Sequence, residues 1–145
     1  MKSAARLYAV QALFQMEASG QTVEQVMREF EDHRFGEIFD EGEMQEGDLD
    51  TFRILMDFAV DNQAAIDQMT DRALVAKWRI ERIDPTLRAL FRAAGAELMG
   101  KQTPPKVVIV EFVQVSEAFA QEGKESKFVN AVLDHMAREA RPDQF

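Results

Sequence analysis

Lys2 and Arg6 stand four residues apart, so on a helix both cations project from one side, with Tyr8 and Gln11 at neighbouring positions. Such a helix end can meet phosphates by charge and bases by stacking or amide hydrogen bonds; it equally suits a solvated helix start. Near the other end, "ESKFVNAVLDHM" (125–136) places Phe128, Val129, Val132, Leu133 and Met136 on one stripe at helical spacing. Lys127, Asn130, Asp134 and Arg138 gather opposite. Phe128 lies at the border, and an aromatic at the rim beside a cation and an amide can contact a nucleotide base or a partner protein. "KWRIER" (77–82) also mixes cations with Trp78, a pattern that suits an aromatic packed between two bundles.

Catalytic chemistry finds little footing. His33 and His135 are the only histidines and have no clustered companions, which argues against a zinc site or a Ser/His/Asp triad. Zero cysteines remove disulfides, thiolate metal sites and a Cys nucleophile. "GAELMGKQ" (95–102) approaches a phosphate-binding loop, but Gln102 replaces the Ser/Thr that would hold magnesium, Gly95 falls inside a helical pattern, and no strand precedes it. The 26 carboxylates supply accidental acid pairs that nothing in the chain selects. The expectation is a binding protein with no catalytic residues, cofactor or metal.

Helices must position these residues. Leu7, Val10, Leu13 and Phe14 follow helical spacing from Ala4 to Glu17, with Gly20 as terminator. Thr22 and Gln25 form a capping-box pattern before Val26, Met27 and Phe30. "HRFGEIFDEGEMQEG" (33–47) reads as a long acidic connection. From Asp48, the spacing of Leu49, Phe52, Met56, Ala59, Gln63 and Ile66 predicts one long amphipathic helix to about Thr70, and a short helical piece carries Leu74, Val75 and Trp78. Asp84 as cap and Pro85 at the first helical position open a helix with Leu87, Leu90, Phe91, Ala94 and Leu98 on one face. "VVIVEFVQV" (107–115) is apolar on nearly every side, so periodicity alone leaves strand and buried helix open. No second strand candidate exists to pair with it, and Thr103 before Pro104 and Pro105 suits a capped helix start, which favours a helix.

With 46% hydrophobic and 30% charged residues the chain reads as globular, and no stretch approaches a membrane span or the apolar core of a signal peptide, which makes the cytoplasm the expected location. The net charge of −9 opposes general attraction to nucleic acid. It is unevenly spread: residues 1–16 carry +2, 17–71 carry −13, 72–106 carry +5 and the remainder −3. Two basic regions flank an acidic one. The expected organisation is an N-terminal helical bundle over 1–82, including the 33–47 connection, and a C-terminal bundle over 83–145, packed together as one compact domain.

Three stretches, taken in order, resemble one family. "ARLYAVQALFQM" (5–16), "LRALFRAAGAELM" (87–99) with "PPKVVIVEFVQVSEAF" (104–119), and "SKFVNAVLD" (126–134) are similar to the transcription antitermination factor NusB family, over about residues 4–138. The resemblance implies an all-α fold of about seven helices in two packed three-helix bundles, with 107–115 helical. It implies a non-enzymatic, bacterial factor that binds boxA RNA with NusE, a small-subunit ribosomal protein, in the RNA polymerase antitermination complex of ribosomal RNA operons. Lys2 and Arg6 match the family's basic first helix, Gln11 and Phe14 its continuation, and Lys127, Phe128 and Asn130 its "KFVN" segment, where Phe128 would pack on a base and Asn130 would orient the turn. Glu111 matches a Glu of the sixth helix, a candidate partner contact.

The chain departs from the family at several places. Ser3, Ala4 and Ala5 stand where many members have arginines, Val110 where Asn is usual, Ala96 where Tyr is frequent and Ala131 where Gly is found. The segment between Phe119 and Phe128 is one residue longer. A thin basic cluster lowers the expected phosphate contribution. A rival expectation is therefore a helical protein-interaction module or homodimer with the same fold and little RNA affinity.

Overall fold

A computed structural model describes residues 2–35, 46–74, 83–100, 102–119 and 124–145. The first apolar run forms α1 (Lys2–Ser19), which stops where Gly20 takes φ 76 and returns its N–H to Met16 O at 2.9 Å. Thr22 then opens α2 (Val23–Glu29) with the expected reciprocal capping box with Gln25. A π-turn, Phe30–Phe35, follows.

The acidic connection is shorter than its composition suggests. Residues 33–35 belong to the π-turn and α3 begins at Glu46, while 36–45 lie outside the described residues. The long helix expected to Thr70 is two: α3 (Glu46–Asp61) and α4 (Gln63–Ala73). Asn62 breaks it, with φ −119 and ψ 19, and its side-chain amide donates to Phe58 O at 3.0 Å. An amide that bonds its own backbone competes with helix continuation, and apolar periodicity does not register that competition. Leu74 leaves α4 in an extended conformation; Val75, Trp78 and the rest of 75–82, with the bundle boundary expected there, lie outside the described residues.

Asp84 caps the next helix as expected, its Oδ1 accepting the Thr86 N–H at 2.7 Å, and α5 runs from Pro85 to Gly100. The ambiguous apolar stretch is helix α6 (Pro105–Glu117), with Pro104 rather than Thr103 at the cap. Helix α7 (Lys124–Ala140) and a final 3₁₀ turn (Pro142–Gln144) complete the chain. All regular structure among the described residues is helical.

Helix α5 is the common partner: it touches α1, α3, α4, α6 and α7, and every residue from Ala93 to Leu98 is buried. Helices α1, α2 and α3 pack together around Phe30, which stacks on Phe52 (centroids 5.8 Å apart) and meets Tyr8 edge-on. Helices α5, α6 and α7 enclose Phe91, Phe112 and Leu133, with α4 against α5 and α7. Gly95 allows that last approach: a Cβ there would stand 2.5 Å from Ile66 Cγ2. The role of this glycine is packing, which fits its place inside a helix rather than a phosphate loop. No helix among the described residues is long and apolar enough to cross a membrane.

Candidate nucleic-acid interface

Arg6 lies one turn beyond Lys2 on α1, and it faces inward. Its side chain is only 3% exposed, and it grips Glu97 of α5 in a bidentate pair, Nε to Oε1 at 2.8 Å and Nη2 to Oε2 at 2.7 Å. Glu97, 9% exposed, also accepts the Thr103 hydroxyl at 2.7 Å, which explains why Thr103 does not cap α6. Glu111 of α6 stands 3.6 Å from Arg6 Nη1. Burial alone would lower the Arg6 pKa, but the hydrogen bond and charge of Glu97, helped by Glu111, raise it, so the cation is held ionised. The side chain of Lys2 lies outside the described residues.

Arg141 closes the same corner from the C-terminal side. Buried, it donates Nε to Leu98 O at 2.8 Å, Nη2 to Glu97 O at 3.0 Å and Nη1 to Thr103 O. These carbonyls end α5 and the turn after it, where helical partners run out. Desolvation lowers the Arg141 pKa, because its partners are dipoles rather than carboxylates.

Gln11 and Phe14 face a different feature. Together with Val10, Phe30, Thr86 and Phe119 they line a cavity of about 420 Å³. Phe14 and Phe119 are exposed there, and Gln11 Oε1 is buried with no hydrogen-bond partner among the described residues. A buried acceptor without a donor is costly, about 1–3 kcal/mol, and is relieved by any ligand that brings one.

The third group sits at the start of α7. Lys127 and Asn130 are exposed, and the Asn130 side chain makes no hydrogen bond among the described residues. Phe128 is half-buried and rests edge-on against Phe91, centroids 6.2 Å apart at 65°. Braced by α5 and only half-buried, the ring sits at the rim of the core beside the exposed Lys127, a position from which an aromatic can stack on a base. The structure thus joins Arg6 to Glu111 and sets Gln11 beside Phe14, while Phe128 meets α5 six residues before Glu97, roughly 9 Å along the axis.

Three functional features escape inspection of the sequence. Glu97 offered one signal, as the lone acid within an apolar stretch of α5, a place where a charge must be paired. Arg141 offered none. A further ion network ties α1 to α5 and α4: Glu17 takes Arg88 and Arg92, the latter at 3.1 Å, and Arg92 grips Asp67 with two bonds of 2.9 Å. Hydrogen bonding from Arg88 holds the Glu17 carboxyl below its usual range against the opposing effect of burial, and the charges of Arg88 and Arg92 add to this. Among the described residues no group of three or more His, Cys, Asp or Glu could hold a metal ion.

The sequence profile of the NusB family matches residues 3–138. A transcription antitermination protein NusB of Maricaulis maris is 48% identical over 146 residues, covering 100% of this chain and 91% of that one. Its counterpart in Caulobacter vibrioides is 46% identical, covering 97% and 94%. Among solved structures, T. maritima NusB superposes with a TM-score of 0.77 at 29% identity, covering 99% of this chain and 94% of that one. The NusB of a complex of antitermination factors NusB and NusE with dsRNA shares the fold, with a TM-score of 0.77 at 24% identity, covering 94% and 96%.

Proposed function

Because this chain belongs to the NusB family, we propose that it is a transcription antitermination factor that binds boxA-type RNA together with NusE. It acts as a binding protein, not an enzyme, in the bacterial cytoplasm, and supports ribosomal RNA operon transcription within the RNA polymerase antitermination complex. The observation that carries this reading is the presentation of Lys127, Phe128 and Asn130 on the first turns of α7, in a chain similar to antitermination proteins along its whole length. Phe128 stacks a base, Lys127 meets a phosphate, and the unengaged Asn130 amide is available to a base edge or sugar.

On α1, Lys2 supplies charge at the helix start. Arg6 belongs to the same surface as the residue that fixes that turn against α5, since its guanidinium is held by Glu97. Gln11 and Phe14 suit NusE better than RNA: among the described residues no Lys or Arg lines their cavity, so it favours an apolar protein side chain carrying a donor for Gln11 Oε1 over a phosphodiester. Glu111, half-buried at the rim of the Arg6 pair, is the carboxylate that would meet a NusE cation.

Fluorescence anisotropy of labelled boxA RNA, with and without NusE and at two salt concentrations, tests this. The expected result is salt-sensitive binding that NusE strengthens and that a scrambled RNA loses. Absence of binding with NusE present would overturn it. The rival, an interaction module or homodimer with little RNA affinity, draws on one observation: Arg6 already has its counter-ion, which thins the available positive charge. It predicts a stable dimer in light scattering and no RNA-dependent change in mass.

A further inference from the structure

We infer that the groove between α3 and the C-terminal end of α5 is a docking site for a basic, amphipathic helical segment of a partner protein. The groove has a volume of about 310 Å³; Ile54, Leu55, Phe58 and Ala96 form its apolar wall, and Glu97 and Thr103 stand at its polar end. Ile54 is 54% exposed, and among the exposed large apolar side chains of the described residues only Val110, at 56%, is more so. A single exposed isoleucine needs no explanation. One that overhangs a concave apolar wall beside a half-buried phenylalanine forms a contiguous patch, which marks an interaction surface.

Charge selects the occupant. Asp50 and Asp57 lie four residues before and three after Ile54, on its side of α3. Asp57 has no partner among the described residues, and Asp50 has only a 3.9 Å contact with Arg53, whose closer bond, 2.6 Å, goes to Glu31. Helix α3 carries five carboxylates against that one base. No described lining residue is basic; Lys101, next to Gly100 in sequence, lies outside the described residues, and a single lysine does not reverse the sign of α3. An RNA backbone is repelled by such a rim. A helix that lays leucine-sized side chains at i and i+3 or i+4 beside Ile54 and Phe58, with Lys or Arg flanking them toward Asp50 and Asp57, matches both shape and sign. The groove shares no lining residue with the RNA contacts proposed above, and the inference holds whether or not that reading does.

The test is an amide-shift titration of the ¹⁵N-labelled full chain with a short helical leucine–lysine peptide. The expected perturbation centres on Thr51, Ile54, Phe58, Gly100 and Thr103. Ile54→Ser should weaken binding about tenfold, as for an anchor residue, whereas Val110→Ser, an equally exposed valine on α6, should leave it unchanged. Asp57→Asn should flatten the salt dependence. Both serine variants change exposed side chains, so circular dichroism should match the parent. The proposal is overturned if Ile54→Ser binds like the parent, if the shifts spread evenly over the acidic surface, if a leucine–glutamate peptide binds equally well, or if a single-stranded oligoribonucleotide shifts the same resonances.

Discussion

The Arg6 corner and the Phe128 face both rest on α5, and they are built from opposite environments. Arg6 is almost without solvent and has a bidentate carboxylate; Lys127 and Asn130 are exposed, and Phe128 is half-buried with its ring against Phe91. A cation four residues from a helix start looks the same in sequence whether it reaches out to phosphate or in to an acid. What separates the two cases is whether a counter-charge waits on the neighbouring helix. The comparison teaches that a buried pair sets where α1 sits, whereas a half-buried aromatic among exposed polar groups is the kind of face that the proposed RNA contact requires.

The strongest way to break this contrast is Glu97→Ala. It strands the Arg6 charge with Glu111 at 3.6 Å as its nearest acid, and should destabilise the fold by about 3–5 kcal/mol in urea unfolding. A loss below about 1 kcal/mol would remove the node from the architecture. Replacing both partners, Arg6→Met with Glu97→Leu, should recover most of that loss, because neither member of the pair is left as an unpaired buried charge. For the same reason Arg6→Ala does not cleanly probe an RNA contact.

On the open face, Phe128→Ala should weaken RNA binding by about 1–3 kcal/mol, read by anisotropy. Phe128→Leu sharpens the point: it retains contact with Phe91 and so the melting temperature, yet should lose most of the same affinity. Equal RNA binding by the leucine variant would make Phe128 a packing residue like Arg6. Lys127→Gln is expected to be milder, reducing the salt slope by roughly 0.7–1 unit for one lost phosphate with no change in melting temperature.

The smallest effect concerns acid. Glu17 has its folded pKa depressed, chiefly by the hydrogen bond from Arg88, so its stabilisation is present above the unfolded carboxylate value of about 4.3 and is lost as pH falls through the lower folded value. A third of its side chain is exposed, and solvent screening keeps the contribution near 0.5 kcal/mol. Comparison of Glu17→Gln with the parent at pH 7 and below pH 4 should show the difference vanish in acid; a difference that persists there would mean packing, not charge.

Much of the fold was legible because helix signals are local. Gly20, the Thr22–Gln25 box, Asp84 with Pro85 and the apolar stripes each act within one or two turns, and each appears where its residues predict. The break at Asn62 was not legible, since a side chain that returns to Phe58 O leaves the apolar period intact. Of the candidate site, Lys127, Phe128 and Asn130 could be placed from amphipathic spacing alone, and their described surroundings agree with that placement; their contact with RNA is a proposal.

By itself, the sequence determined the helical class, most helix ends and the uneven charge, because capping, periodicity and composition are properties of neighbours along the chain, and the family through the resemblance of three stretches taken in order. Tertiary structure decided the direction of Arg6, the partnership of Glu97 with Arg6 and Thr103, the three carbonyls closed by Arg141, and the open acceptor of Gln11. Each depends on groups from 6 to 91 positions apart meeting in a medium of low dielectric, where a pair that water would leave loose becomes obligatory. One helical period brought Arg6 to the surface of α1; only the packing of α5 against it determined that this surface was inside.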